Sequence, residues 1–233
     1  MLVASFLPAV ARVLQTLFPD CLWALDPKVA ISPTTGSPQI ALTFDDGPHP
    51  VYTPQLLSIL ERYQVQASFF WLGACVDRNP TIARAVYEAG HWIGLHGYDH
   101  QSFPLLSPSD VQAQLEQTRT SIVQACQIDA GWLRDVRPPN GLFTPNTLRH
   151  LRQGGYRPVM WSVVPIDWTC PGPAVVVDRV LRQTKAGSHI VLHDGAYGGR
   201  DVAQVVDRLV PTLLAKNFEF VTIAKFWQLK HNQ

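Results

Sequence analysis

The chain has 233 residues, of which 46% are hydrophobic and 16% are charged. Its 19 Lys and Arg residues nearly cancel its 18 Asp and Glu residues, which leaves a formal net charge of +1. This length and hydrophobic content suit one domain with a sizeable core and argue against intrinsic disorder. The balanced charge, without a clustered basic stripe, argues against nucleic acid as a partner and favours a neutral substrate.

The first 18 residues carry an apolar helical stripe. Apolar side chains recur at three- and four-residue steps between Leu2 and Phe18, which is typical of one helix face. The stretch is too interrupted to predict a membrane span, and it lacks the basic start and cleavage site of a signal peptide. Two alternatives stay open: the helix covers an apolar surface of its own domain, or residues 2–18 contact a membrane surface peripherally.

The pattern after this stretch predicts one βα domain. Residues 1–38 are expected to form the amphipathic helix and a connector rich in Pro, Ser, Thr and Gly, and residues 39–233 the domain itself. Short apolar runs alternate there with amphipathic helices, which predicts parallel strands in an open sheet or a closed barrel. The predicted strands are residues 40–44, 67–72, 91–95, 132–136, 157–161, 189–192 and 218–223.

Polar side chains follow the C-terminal ends of successive predicted strands, where a βα barrel assembles its site. They are Asp45, Asp46, His96, Arg137, Asp167 and His193. Successive side chains on an extended chain point in different directions, so Asp46 can bind a metal while Asp45 acts as a base. An Asp-Asp-Gly-Pro turn is the structural alternative for these two residues.

The histidines and the arginine have residue-level interpretations of their own. His96 and His100 are spaced to lie on one face of a helical turn, and with Asp46 they would leave open positions at a catalytic divalent metal. The guanidinium of Arg137 is suited to holding a carboxylate ionised and in a fixed orientation. The 167–168 and 193–194 segments together supply a carboxylate and an imidazole. A carboxylate hydrogen-bonded to an imidazole favours the protonated ring, which a general acid needs.

The ordered motifs between about residues 39 and 223 resemble those of the polysaccharide deacetylases, also called the NodB homology domain or carbohydrate esterase family 4. They are TFDDGP at 43–48, TPQLL at 53–57, ASFF at 67–70, GHWIGLH at 90–96, RPP at 137–139 and IVLHD at 190–194. The resemblance implies a distorted, incomplete (β/α) barrel of about seven parallel strands. It also implies a divalent metal and hydrolysis of acetyl groups from N-acetylated, sometimes O-acetylated, sugars.

The resemblance also implies roles for individual residues. The metal ligands would be Asp46, His96 and His100, with zinc expected and cobalt or nickel as alternatives. The base would be Asp45, braced by Arg137, and the acid would be His193, partnered by Asp167. The backbone N–H of Asn140 would stabilise the oxyanion, and Trp168 and Leu192 would line the acetyl pocket. Water activated by the metal would be the nucleophile.

Four positions depart from the commonest pattern of that family. Gly97 stands where Ser or Thr is usual, and Asp99 adds a negative charge before His100. Asn140 replaces an aromatic wall of the substrate groove, and Val164 replaces an upstream Asp. None of these changes removes a predicted ligand, base or acid. They therefore bear on the identity of the substrate more than on the presence of activity.

The sequence therefore predicts a metal-dependent polysaccharide N-deacetylase, a hydrolase of carbon–nitrogen bonds other than peptide bonds. Two alternatives are a non-catalytic sugar-binding domain on the same fold and a metal-dependent hydrolase of a small non-sugar amide. We expect an acetylated carbohydrate substrate, no nucleic acid partner and a monomer. A place in the cell envelope or at a membrane is favoured over the cytoplasm.

Overall fold

The structure, a computed structural model, describes residues 13–231. Its centre is a curled sheet of seven parallel strands in the order β5-β4-β3-β2-β1-β6, with β7 paired to the beginning of β1. The strands β1 to β7 are Gln39–Asp45, Ser68–Trp71, Trp92–Leu95, Asp135–Val136, Arg157–Pro158, His189–His193 and Glu219–Phe220. The predicted distorted, incomplete (β/α) barrel is confirmed.

Helices follow the strands and cover the outside of the sheet. The helices α1 to α8 are Tyr52–Arg62, Gly73–Arg78, Pro80–Glu88, Pro108–Cys126, Pro145–Gln153, Pro173–Gln183, Gly199–Ala215 and Ile223–His231. Their starts carry local signals: the Ser107 hydroxyl accepts the Asp110 N–H before α4, and Thr144 and Thr147 form a capping box at α5. Proline is in the first turn of both helices, where its missing N–H costs no helical hydrogen bond.

The register of the sheet brings the ends of its strands to one edge. All seven residues of β1 are buried, as expected of a central parallel strand that is covered on both faces. Asp45 at the end of β1 lies opposite Phe70 of β2 and His193 of β6. Leu95 at the end of β3 lies opposite Val136 of β4. The polar residues that follow these strands therefore meet at the C-terminal edge.

A segment before the predicted domain fills the gap between β5 and β6. The Leu22 N–H donates to Pro158 O (2.9 Å), and Met160 N–H donates to Leu22 O (2.8 Å). Further along the segment, Leu25 N–H donates to the carbonyl oxygen of Gly187 (3.0 Å). Residues 21–25 thus lie in the barrel wall, although the division of the chain between residues 38 and 39 stays a prediction.

The described part of the N-terminal stripe is helical over residues 13–17. Leu14 and Phe18 pack against the core, whereas Val13 and Leu17 are 60% and 64% exposed. The rest of the predicted stripe, residues 2–12, lies outside the described residues, and its membrane contact stays a prediction. Within residues 13–231, none of the helices combines the length and the apolar character needed to cross a membrane.

A fully buried carboxylate holds one side of the barrel together. Asp135 of β4 accepts the indole N–H groups of Trp92 (2.7 Å) and Trp227 (2.8 Å). It also accepts two hydrogen bonds, both of 2.9 Å, from the guanidinium of Arg157. These donors belong to β3, α8 and β5, so one side chain joins three other elements.

We expect Asp135→Ala to lower the free energy of unfolding by about 2–4 kcal/mol, because two indole N–H groups and the partly buried Arg157 guanidinium lose their acceptor. Urea denaturation followed by circular dichroism measures this change. The matched control is Asp178→Ala, which breaks an exposed ion pair with Arg182 within α6. It should change the stability by less than about 0.5 kcal/mol. Equal effects of the two variants would contradict the bracing role of Asp135.

Candidate active site

A cavity of about 350 Å³ opens at the C-terminal edge of the sheet. Its lining consists of Asp45, Asp46, His96, His100, Asn140, Gly141, Trp161, Val164, Trp168, Val191, His193 and Tyr197. Most of the residues predicted to carry chemistry are in this set. Arg137 and Asp167 lie just behind it, each bonded to a lining residue.

Two imidazole nitrogens converge on one oxygen of Asp46. His96 Nε2 is 3.4 Å and His100 Nε2 is 3.3 Å from Asp46 Oδ1. That oxygen is buried and has no hydrogen-bond partner among the described residues. Burial opposes ionisation of Asp46, but the neighbouring histidines, His96 first, lower its pKa to about 2. An ionised oxygen facing two imidazoles is a donor set that suits a divalent transition metal.

A hydrogen bond behind His96 fixes which of its nitrogens faces Asp46. His96 Nδ1 lies 2.7 Å from the carbonyl oxygen of Arg137, which only a protonated Nδ1 can bond. In the neutral ring the lone pair is then on Nε2, the nitrogen that faces Asp46. Metal-binding histidines in proteins are commonly oriented in this way.

The loop that presents His100 contains two of the unusual positions. Gly97 has φ = 79°, a left-handed conformation that glycine adopts without strain. The Asp99 carboxylate accepts hydrogen bonds from Gln114 Nε2 (2.7 Å) and Gln101 Nε2 (2.6 Å). Gln114 also accepts the Tyr98 N–H (2.7 Å). Both departures thus have a structural reason, since they shape and hold this loop.

The predicted base, Asp45, forms a buried ion pair. Its Oδ1 accepts a hydrogen bond from Arg137 Nη1, and its Oδ2 lies 3.9 Å from His96 Nε2. The same Arg137 nitrogen donates to Thr43 Oγ1 (3.0 Å), and the guanidinium lies over the Phe70 ring at 4.0 Å from its centroid. Arg137 is fully buried, so its hydrogen bond holds the Asp45 carboxylate in one orientation beside a positive charge.

The predicted acid, His193, is paired with Asp167. His193 Nδ1 lies 2.9 Å from Asp167 Oδ1, and the His193 backbone N–H donates to Asp167 Oδ2 (2.8 Å). Burial alone would lower the pKa of His193, but the charge and hydrogen bond of Asp167 outweigh it and raise the pKa to about 9. The imidazole is therefore protonated at neutral pH, with Nε2–H available as a donor.

The structure corrects one predicted wall of the cavity. Trp168 and Asn140 are in its lining, but Leu192 is fully buried in the core. Side chains alternate along a strand, so Val191 and His193 of β6 face the cavity while Leu192 faces away. Val191 thus takes the place that was predicted for Leu192.

Sequence reasoning also missed several lining and supporting residues. Tyr197 comes from a loop whose approach to the site has no local sequence signal. Asp194, which is fully buried, accepts the Thr53 hydroxyl (2.5 Å) and so connects two of the motifs. Burial, opposed by that hydrogen bond, raises the pKa of Asp194 to about 7. Thr53 begins the TPQLL motif and Asp194 ends the IVLHD motif, and this was the sequence signal that pointed to the pair.

Comparison with known proteins places the geometry in a family. A family profile described as Polysaccharide deacetylase matches residues 32–159, which is 128 of the 233 residues. A peptidoglycan-N-acetylglucosamine deacetylase of Bacillus cereus is 33% identical over 82% of this chain and 89% of its own length. A chitooligosaccharide deacetylase of Sinorhizobium fredii is 34% identical over 79% of this chain and 89% of its own length.

A solved structure agrees with the sequence relatives. The crystal structure of the Bc1960 peptidoglycan N-acetylglucosamine deacetylase superimposes with a TM-score of 0.80 and 26% identity, covering 88% of this chain and 92% of that one. The relatives confirm the predicted enzyme class, a hydrolase of carbon–nitrogen bonds other than peptide bonds. Sequence match, fold and site together show that the chain belongs to the polysaccharide deacetylase family.

Proposed function

We propose that this protein removes acetyl groups from N-acetylated sugar residues of a polysaccharide or oligosaccharide. The observation that carries the proposal is the arrangement of two buried charge pairs around one cavity: Asp45 with Arg137, and Asp167 with His193. A carboxylate base held by a cation and an imidazole acid held by a carboxylate are the two groups that amide hydrolysis needs. The relatives named as deacetylases of peptidoglycan N-acetylglucosamine and of chitooligosaccharides support this substrate class.

We infer that a divalent cation, zinc first, is held by Asp46, His96 and His100. The support is the unpartnered, buried Asp46 oxygen on which both imidazole nitrogens converge. When bound there, the cation would polarise the acetyl carbonyl and lower the pKa of water.

The residues around the cavity have separate roles in the proposed reaction. Asp45 is the proton acceptor for the attacking water, because it lines the cavity and Arg137 holds its carboxylate in one orientation. The Asn140 backbone N–H, in a left-handed turn at the cavity wall, is the candidate donor to the oxyanion. His193 then delivers its Nε2 proton to the leaving amine, and Asp167 stabilises the imidazolium until that transfer.

The walls of the cavity suit a neutral acetylated sugar. Val164 and Val191 offer apolar contact for an acetyl methyl group, and Trp161, Trp168 and Tyr197 offer aromatic surface for sugar rings. Trp168 is 40% and Tyr197 is 75% exposed, so both rings are accessible at the mouth. These apolar and aromatic side chains carry no charge that would attract a charged polymer.

The substrate class is tested by acetate release from the zinc-loaded protein. Chitooligosaccharides, peptidoglycan, acetylated xylan and small acetamides are compared under one condition. We expect release from N-acetylglucosamine polymers or oligomers. Release from small acetamides alone would favour the non-sugar amidase, and binding of sugar without any release would favour the non-catalytic domain.

Asp45→Asn should keep the metal and lower kcat about 10²- to 10⁴-fold, because an amide accepts no proton from water. His96→Ala should lose both metal and turnover, because it removes a ligand. Metal content by atomic absorption and acetate release measure the two effects. The control is Asp207→Asn, the same exchange at the exposed partner of Arg62. Full turnover by Asp45→Asn would show that the base is misassigned.

Asp167→Asn should move the alkaline limb of the kcat–pH profile to lower pH. His193 acts as an acid only while it is protonated, so activity is lost as pH rises through its pKa. Without the negative charge of Asp167, burial lowers that pKa, and the limb moves down with it. Steady-state kinetics from pH 6 upward, in about half-unit steps, would detect the shift. An unmoved limb with a reduced kcat would contradict the acid assignment.

A further inference from the structure

The side of Arg137 that faces away from Asp45 is held by a second buried group. Arg137 Nη2 donates to the carbonyl oxygen of Met160 (3.1 Å) and lies 2.8 Å from His189 Nε2. His189 is fully buried at the start of β6. Its backbone joins β6 to the chain after β5, because its carbonyl oxygen accepts the Val163 N–H (3.0 Å).

The contact with Arg137 fixes the tautomer of His189. A guanidinium carries donors only, so Nε2 must be the unprotonated nitrogen. Burial, together with the positive charge of Arg137, keeps the pKa of His189 well below its usual range, so the ring is neutral. The single ring proton is therefore on Nδ1, which is buried and has no hydrogen-bond partner among residues 13–231.

An unpartnered buried donor calls for an explanation. Buried polar groups in proteins are nearly always paired, and those that are not lower stability. An aliphatic residue at position 189 would remove the unpartnered Nδ1–H and would suit the apolar burial pattern of β6. The chain keeps an imidazole there, and the one side-chain hydrogen bond that it makes is to Arg137.

We propose that His189 is a positioning residue for the base, acting through Arg137. The guanidinium is planar and rigid, so two acceptors on Nη2 fix the direction in which Nη1 presents its N–H groups to Asp45. Both of those acceptors, Met160 O and His189 Nε2, are neutral. Asp45 is thus the one carboxylate that pairs with the positive charge of Arg137, and it keeps one orientation towards the cavity.

The proposal rests on the proposed function, and two substitutions of similar size test it. His189→Leu removes the acceptor, whereas His189→Gln keeps an acceptor oxygen near the position of Nε2. We expect His189→Leu to lower kcat about 10- to 100-fold, since small misplacements of a reacting group cost that much. KM and bound zinc should not change. His189→Gln should restore most of the lost kcat.

The matched control is His91→Leu, the same exchange at another buried histidine. His91 lies at the opposite end of the barrel, where its Nδ1 accepts the Ala67 N–H (3.1 Å). It should lose stability but not kcat. Equal loss of kcat in both leucine variants, or a wild-type kcat in His189→Leu, would overturn the proposal.

A measurement on the wild-type protein separates this proposal from the proposed function. NMR of nitrogen-labelled histidine reports which ring nitrogen of His189 carries the proton. We expect a protonated Nδ1 and an unprotonated Nε2 throughout the neutral range, with or without substrate. A protonated Nε2 would overturn the proposal even if the enzyme is active and even if His189→Leu does not fold. Failure of the wild-type protein to release acetate would instead count against the proposed function.

Discussion

The buried ion pair between Arg137 and Asp45 is the interaction on which the site depends. The guanidinium of Arg137 has no exposed surface, so its charge depends on the partners of Nη1 and Nη2, and breaking a buried pair of this kind costs about 3–5 kcal/mol. Here its partners come from β1, from β6 and from the chain after β5. The barrel must therefore close around Arg137, and the closed barrel in turn holds Asp45 in place.

The same arginine connects the proposed base, Asp45, to the proposed metal ligands. Its side chain orients Asp45, while its backbone carbonyl accepts the Nδ1–H of His96 and so directs Nε2 towards Asp46. A displacement of the turn after β4 would disturb both groups together. This coupling gives a physical reason why an Arg-Pro-Pro turn follows β4, since proline restricts the backbone at the point where that carbonyl must be aimed.

Sequence reasoning found the strands and the charged groups because both follow local rules. Buried parallel strands are apolar runs, and the polar residues after them must meet at one edge. It failed where a residue's position depends on which face of a strand its side chain occupies, or on contacts with distant segments. Leu192 was predicted to line the pocket because a motif does not state which face of β6 turns inward. The place of residues 21–25 in the wall, and the pairing of His189 with Arg137, depend on contacts between segments far apart in the chain.

The charges around the cavity are arranged so that one remains uncompensated. Asp45 is neutralised by Arg137, and protonated His193 by Asp167. Among the described lining residues this leaves Asp46, ionised and faced by two imidazoles. A single negative charge attracts a divalent cation but does not cancel it, so a net positive charge would remain where the oxyanion develops. The near-neutral composition of the chain thus fits a site whose other charges are paired internally, and it agrees with the proposed neutral substrate.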